Sequence, residues 1–206
     1  RRPATATPPI ALQGNTHAMK RLTRHLAAVA LATAPLFATF AAAETPAPPM
    51  IAARAWIVVD AATGTMLAGQ AVDERLPPAS LTKMMTTYVA DAAMAEGRAS
   101  MNDMVRISER AWRTGMDEGS RMFLDVGSSV RLEDIMRGII IQSGNDASVA
   151  RAEHVAGSEE QFVQLMNAQA KRLGMTNTAY MDASGLNDTQ YSSARDLATL
   201  ARAIIY

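Results

Sequence analysis

A serine and a lysine three residues apart are the pair whose chemistry this sequence specifies most directly. Ser80 follows the stiff dipeptide Pro77-Pro78, and the apolar residues after it predict a helix that begins near Ser80 and carries Lys83 one turn later. Residues three apart share a helix face, so the amine of Lys83 can reach the hydroxyl of Ser80. Burial favours the neutral amine, and a neutral amine beside a serine is a base beside a nucleophile.

The same pattern also has a purely structural interpretation. A Ser-x-x-Lys match is expected about once by chance in a chain of this size, and serine commonly caps a helix ahead of a solvated lysine. Lysine is scarce here, however, at positions 20, 83 and 171, whereas arginine supplies most of the positive charge. Because arginine cannot give up its proton, the use of lysine at position 83 favours the catalytic interpretation.

A second group of polar residues, Ser143-Gly144-Asn145, lies in a short turn between two apolar segments with helical periodicity. A hydroxyl at Ser143 can pass a proton between the Ser80 and Lys83 pair and a leaving amine, and the Asn145 amide can orient Lys83 and a substrate carbonyl. The alternative is an ordinary turn between helices. Ser-x-Asn alone is weak, since residues 100–102 match it too.

Composition excludes several other kinds of chemistry. Twenty basic and twenty acidic residues balance, so nothing indicates nucleic acid or an anionic surface as a partner. The absence of cysteine excludes thiol nucleophiles, disulfides and thiolate metal sites. A Ser-His-Asp hydrolase would have to use His154, the one histidine of the predicted folded region, which is otherwise an ordinary surface or core histidine. No metal or cofactor is expected.

The first part of the chain resembles an export signal. Residues 1–18 have no periodicity and are interpreted as disordered or as upstream of a true start at Met19. Residues 19–43 have the basic beginning, apolar middle and small-residue end of a secretory signal peptide. The alternative is a membrane-spanning helix, which Pro35 and the weak hydrophobicity disfavour. Residues 44–54 are expected to be a linker, and the mature protein is expected to be periplasmic or otherwise extracytoplasmic.

Residues 55–206 predict an α+β domain. Two β-rich runs, at residues 55–60 and 65–70, flank a Thr-Gly turn and predict a hairpin. Two strands alone cannot bury a face, so the hairpin needs further packing partners. Apolar periodicity after residue 80 predicts five or six helices. We therefore expect a helical cluster packed on an antiparallel sheet, in a chain that stops before the later strands of that sheet.

Two stretches of this domain are less regular. Residues 101–130 contain several glycines and predict short helices and turns. Residues 176–190 predict a polar loop without regular periodicity, and the last helix is expected to start at Ser193. Arg195 is expected to pair with Asp188 or Asp196 and so to fix this loop.

Three longer segments, in order, resemble the low-molecular-mass penicillin-binding proteins of the D-alanyl-D-alanine carboxypeptidase family. The three are residues 78–85 (PASLTKMM), 142–147 (QSGNDA) and 191–196 (YSSARD). Penicillin-binding proteins carry Ser-x-x-Lys, Ser-x-Asn and Lys-Thr-Gly motifs. The middle motif here is Ser-Gly-Asn, the carboxypeptidase form, and the resemblance extends from about residue 55 to residue 206.

The resemblance implies a β-lactamase/transpeptidase-like fold and a serine acyl-transfer enzyme that removes the terminal D-alanine of peptidoglycan stem peptides. By this resemblance Ser80 attacks the penultimate D-alanine carbonyl and Lys83 takes its proton. Ser143 assists proton delivery, Asn145 helps to bind the substrate, and the Ser80 N–H is one half of the oxyanion hole. β-Lactams would be trapped as covalent inhibitors at the same serine.

The third family motif, Lys-[Ser/Thr]-Gly on a strand beside the site, is absent from this sequence. Arg113-Thr114-Gly115 is a superficial substitute that precedes Ser143 and is interpreted as a turn. In the family, the motif, the remaining strands, a C-terminal β-domain and an amphipathic anchor for the inner membrane would all follow Tyr206. We interpret the chain as an N-terminal fragment and expect that, as given, it cannot hydrolyse substrate efficiently.

Three alternatives stay open at this stage. A D,D-endopeptidase would differ only in admitting a longer substrate. A β-lactamase needs a carboxylate for deacylation, and the 176–190 loop offers Asp182 and Asp188 but no glutamate. A non-catalytic peptidoglycan-binding module would keep the motifs of the core without the reaction.

Overall fold

A computed structural model describes residues 47–117 and 119–206. The segments predicted to be disordered (1–18) and to form a signal peptide (19–43) lie outside the described residues. Of the predicted linker, residues 47–54 are described and form no helix or strand. Within the two described ranges, none of the helices has both the length and the apolar character needed to cross a membrane.

The predicted hairpin is present. Strand β1 (Trp56–Val59) pairs antiparallel with β2 (Met66–Gln70), with Trp56 opposite Gln70. A second antiparallel pair, β3 (Met104–Arg106) and β4 (Ser129–Arg131), lies in the stretch for which the sequence predicted only helices and turns. Strands of three residues are too short to produce a recognisable period of two, which explains why the sequence did not reveal them.

Helices form the larger part of the regular structure, and the α+β class is confirmed. A short 3-10 helix (Ala79–Leu81) leads directly into the first α-helix. The α-helices of the described residues are α1 (Thr82–Ala95), α2 (Glu109–Asp117), α3 (Leu132–Gln142), α4 (Asn145–Ala156), α5 (Glu159–Arg172) and α6 (Ala194–Ile205).

Helix α4 is the centre of the helical cluster. It packs against α1, α2, α3 and α5, and every residue from 145 to 152 is buried. Half of these eight side chains are small, namely Ala147, Ser148, Ala150 and Ala152. Small side chains on all faces allow four neighbouring helices to approach α4 closely, which a helix with one apolar stripe does not permit.

The hydrophobic core divides into two clusters on either side of α4. One cluster includes Val105, Leu132 and Ile135 and fills the space between α3 and the second hairpin. The other includes Met85, Phe162, Met166, Tyr180 and Leu200, so it joins α1, α5 and α6 to the 176–190 loop. Because both clusters contain residues of α4, this helix fixes the distance between the elements that carry the predicted site residues.

Glu159 connects α5 to two other parts of the chain. Its side chain is 5% exposed, its Oε2 accepts a hydrogen bond from the Nε of Arg110 at 2.8 Å, and its Oε1 accepts one from the backbone N–H of Ala183 at 3.0 Å. Ser158 caps α5 by accepting a hydrogen bond from the N–H of Gln161. The carboxylate of Glu159 therefore holds the 176–190 loop in place at Ala183.

We expect the Glu159→Ala substitution to lower the free energy of unfolding by about 2 kcal/mol, because a buried backbone N–H then loses its acceptor. Urea denaturation followed by circular dichroism measures the effect. The matched control is Glu160→Ala, since Glu160 also pairs with Arg110 but is 67% exposed, and we expect a change below about 0.5 kcal/mol. Equal losses in the two variants would contradict this account of Glu159.

Candidate active site

Ser80 lies in the 3-10 helix, not at the cap of α1. The helix over residues 79–81 begins directly after Pro78. The side chain of Ser80 makes no hydrogen bond that caps a helix, so the structural interpretation of this serine as a helix cap is wrong. The preceding residue, Ala79, has a φ of +46°, a left-handed conformation that is unusual for a residue with a Cβ. The tight turn leaves Ser80 exposed, so its hydroxyl is accessible to a ligand.

Lys83 lies one turn later and is buried, with 5% of the residue exposed. Its Nζ is 3.2 Å from the Oγ of Ser80, 2.8 Å from the Oδ1 of Asn145 and 2.6 Å from the backbone carbonyl oxygen of Ser184. The predicted proximity of Ser80 and Lys83 is therefore present. The predicted contact between Asn145 and Lys83 is present too.

Burial lowers the pKa of Lys83 from its ordinary value of 10.5 to about 8, and the negative charge of Asp182 partly opposes this effect. The three partners of the amine also suit its neutral form. A neutral amine has two N–H donors and one lone pair. The two donors can serve the oxygens of Asn145 and Ser184, which leaves the lone pair to accept the proton of the Ser80 hydroxyl.

Asn145 is the first residue of α4 and is 4% exposed. Its backbone N–H donates to the carbonyl oxygen of Ser120 at 2.8 Å, while its Oδ1 faces Lys83. The next residue, Asp146, accepts hydrogen bonds from the backbone N–H groups of Met122 and Leu124. The start of α4 is thus held on one side by the 119–124 segment and on the other by Lys83.

Ser143 ends α3 in a left-handed conformation, with a φ of +56°. It lines a cavity of about 490 Å³ together with Ser80 and Lys83. The remaining wall is mostly apolar and is formed by Met84, Thr87, Ile139, Ile140, Ala201, Ile204 and Ile205. The structure therefore brings Ser80, Lys83 and Ser143 to a single cavity, with Asn145 behind Lys83.

A second cavity of about 500 Å³ lies between β1 and α6, but it has little capacity for catalysis. Its lining is largely apolar, and its one charged residue, Arg202, donates to the backbone carbonyls of Ala61 and Ala62. The groups that can transfer protons instead line the cavity that contains Ser80, Lys83 and Ser143. Among the described residues, no cluster of histidine, aspartate or glutamate side chains is arranged to hold a metal ion.

Two other polar residues that the sequence singled out have partners away from Ser80. The Nε2 of His154 is 3.0 Å from the Oδ2 of Asp103, a contact between α4 and the turn before β3. Arg195 pairs with Asp73, at 2.7 Å between Nε and Oδ1, so the expected partners Asp188 and Asp196 were wrong.

The contribution of the 176–190 loop was not recognised from the sequence. This loop supplies the carbonyl of Ser184 to Lys83, and the carbonyl of Ala183 accepts a hydrogen bond from Thr86 of α1 at 2.7 Å. The one available sequence signal was the Asp-x-Ser-Gly pattern at residues 182–185, which is typical of a turn built around an aspartate side chain.

Comparisons with known proteins agree with this arrangement. The profile of a family described as D-alanyl-D-alanine carboxypeptidase matches residues 42–206. The chain is 47% identical to D-alanyl-D-alanine carboxypeptidase DacC of Escherichia coli over 171 residues, which are 81% of this chain and 43% of that protein. It is 33% identical to a D-alanyl-D-alanine endopeptidase of Pseudomonas aeruginosa, over 70% of this chain and 44% of that protein.

The fold also matches solved structures. Penicillin-binding protein 5 from Haemophilus influenzae superposes with a TM-score of 0.75 and 43% identity, over 78% of this chain and 47% of that chain. The chain thus spans less than half the length of these relatives. Since the family profile covers most of the sequence and the fold agrees, the chain belongs to the D-alanyl-D-alanine carboxypeptidase family.

Proposed function

We propose that this chain carries the nucleophile and base of a serine-type D-Ala-D-Ala carboxypeptidase that removes the terminal D-alanine of peptidoglycan stem peptides. The observation that carries the proposal is the buried amine of Lys83, 3.2 Å from the exposed hydroxyl of Ser80. Relatives that bear the name of this activity, at identities of up to 47%, support the choice of substrate.

In the proposed reaction, Lys83 takes the proton of the Ser80 hydroxyl while Oγ attacks the carbonyl carbon of the penultimate D-alanine. Negative charge then develops on the carbonyl oxygen. The N–H of Ser80 can stabilise this charge, because the first N–H groups of a helix have no acceptor within it. The Asn145 amide would orient the substrate carbonyl, in addition to holding Lys83.

The tetrahedral intermediate collapses when the C–N bond to the terminal D-alanine breaks. The leaving nitrogen needs a proton, which comes from Lys83 with Ser143 as the relay, since both line the same cavity. Water then attacks the ester on Ser80 with Lys83 as the base, and the serine is regenerated. A β-lactam would acylate the same oxygen of Ser80 as its ring amide bond breaks. The ester of the ring-opened drug would be hydrolysed more slowly than the peptide ester, which makes the β-lactam a covalent inhibitor.

The substrate also implies a location. Peptidoglycan lies outside the cytoplasmic membrane, so we propose an extracytoplasmic enzyme, exported by a signal peptide at residues 19–43. We further propose that residues 55–206 are part of a D,D-peptidase domain whose third motif, together with any peripheral membrane anchor, belongs to a longer protein. Nucleic acid is not proposed as a partner.

Among the alternatives, a D,D-endopeptidase has one specific observation in its favour, the 33% identity to an endopeptidase. The higher identity to a carboxypeptidase favours the carboxypeptidase. A β-lactamase is less well supported, because the carboxylate of Asp182 already accepts hydrogen bonds from several N–H groups of its own loop. It is therefore poorly placed to activate a deacylating water.

The first test is covalent labelling of the full-length protein with a fluorescent penicillin. We expect one labelled serine and complete loss of the label in Ser80→Ala, because the ester forms on the Oγ of that residue. Ser100→Ala is the matched control and should label as the wild type does. No labelling of the folded wild-type protein would overturn the enzymatic proposal in favour of a binding module.

The second test is the pH dependence of acylation. The base must be neutral, so the rate should rise with pH through about 8 and fall about tenfold for each unit below that value. Stopped-flow acylation by a β-lactam between about pH 6 and about pH 9 measures this profile. A rate that does not change over this range would contradict Lys83 as the base.

The third test replaces the base itself. Lys83→Arg should lower the acylation rate by at least about a thousandfold, because a guanidinium cannot accept the serine proton. Lys171→Arg, at the exposed end of α5, is the control and should leave the rate unchanged. Circular dichroism verifies that both variants fold. Normal acylation in a folded Lys83→Arg protein would eliminate the proposed mechanism.

A further inference from the structure

The carboxylate of Asp182 is the centre of the loop that contacts the reactive pair. Its Oδ1 accepts hydrogen bonds from the backbone N–H groups of Ser184 at 2.9 Å and Gly185 at 2.5 Å, and from the Nε2 of Gln190 at 3.2 Å. Its Oδ2 accepts from the N–H of Asn187 at 2.6 Å. One side chain thus fixes the conformation of residues 182–187.

The residues fixed by Asp182 contact both members of the reactive pair. The carbonyl oxygen of Ser184 lies 2.6 Å from the amine of Lys83. Gly185 has a φ of +97°, and a methyl group at its Cα would collide with the carbonyl of Ala79 and lie 3.1 Å from the nitrogen of Ser80. The backbone of Gly185 therefore packs directly on the peptide before the nucleophile, where no larger residue fits.

The negative charge of Asp182 also acts on the amine. It opposes the effect of burial and so favours the protonated form of Lys83. The other acidic groups of the surrounding elements have partners of their own. Asp91 of α1 pairs with Arg151, and Asp146 of α4 accepts from the N–H groups of residues 122 and 124. Glu159 of α5 accepts from Arg110 and residue 183, and Asp196 of α6 accepts from residues 177 and 178.

We infer that Asp182 is a positioning residue for the acyl-transfer reaction. It holds Ser184 against Lys83 and Gly185 against the backbone of Ser80, and it places a negative charge near the amine. This inference rests on the proposed function. Asp182 does not contact the reacting atoms in this arrangement, and it acts through its loop and through its charge.

The experiment is the pH profile of β-lactam acylation for the full-length Asp182→Asn protein. The amide keeps an acceptor for the tight turn but carries no charge and cannot accept from every N–H that the carboxylate serves. We expect the midpoint of the profile to move to lower pH by about half a unit, because the charge that favours the protonated amine is removed. We also expect the limiting rate at high pH to fall about tenfold, because the loop positions the pair less accurately.

Asp188→Asn is the matched control. Asp188 is an exposed acidic residue of the same loop, and we expect its removal to leave both the midpoint and the limiting rate unchanged. Circular dichroism verifies folding. If Asp182→Asn does not fold, Asp182→Ser replaces it, because a hydroxyl can support the same turn without a charge.

The outcomes separate this inference from the proposed function. Suppose that the wild type is acylated at Ser80 and that the pH profile of the folded Asp182 variant has the same midpoint as that of the wild type. The inference is then overturned and the proposed function stands, even if the limiting rate of the variant is lower. If the wild type does not acylate, both fail. A midpoint that moves downward in the Asp182 variant and stays constant in Asp188→Asn supports the inference.

Discussion

The burial of one amine is the constraint on which the rest of the site depends. A protonated lysine loses hydration when protein surrounds it, so burial favours the neutral form unless enough acceptors or negative charge compensate. Lys83 is almost completely buried, and its nearest partners are a hydroxyl, an amide oxygen and a backbone carbonyl, none of them ionised. The result is an amine that can exist as a base near neutral pH.

The fold supplies these partners from widely separated parts of the chain. Helix α4 brings Asn145 to the amine because its small side chains let α1 approach closely. The 176–190 loop brings Ser184, and it is held by Glu159 from α5 and by Thr86 from α1. Ser80 itself is exposed, as are the other two residues of the 3-10 turn before α1. The base is therefore enclosed, while the nucleophile is open to substrate.

Local sequence patterns predicted much of this arrangement. The hairpin, the helices and the proximity of Ser80 and Lys83 follow from periodicity and from spacings of a few residues, which the local geometry of a helix or strand fixes. The contacts of Lys83 with Asn145 and Ser184 join residues 62 and 101 positions apart. Of these, the Asn145 contact was expected because its motif lies between buried helices, whereas the carbonyl of Ser184 has no side-chain signature. Asp73 was not foreseen as the partner of Arg195 because the two residues are 122 positions apart and no local sequence pattern links them.

The protonation of Lys83 can be measured directly, without reference to activity. Carbon-13 labelling gives a resonance for each lysine side chain, and the resonance that is missing from the spectrum of Lys83→Arg is that of Lys83. Titration of the wild-type protein by nuclear magnetic resonance should give a pKa of about 8 for Lys83. A pKa at the ordinary value of 10.5 would show that the amine is charged near neutral pH, and it would contradict the assignment of Lys83 as the base.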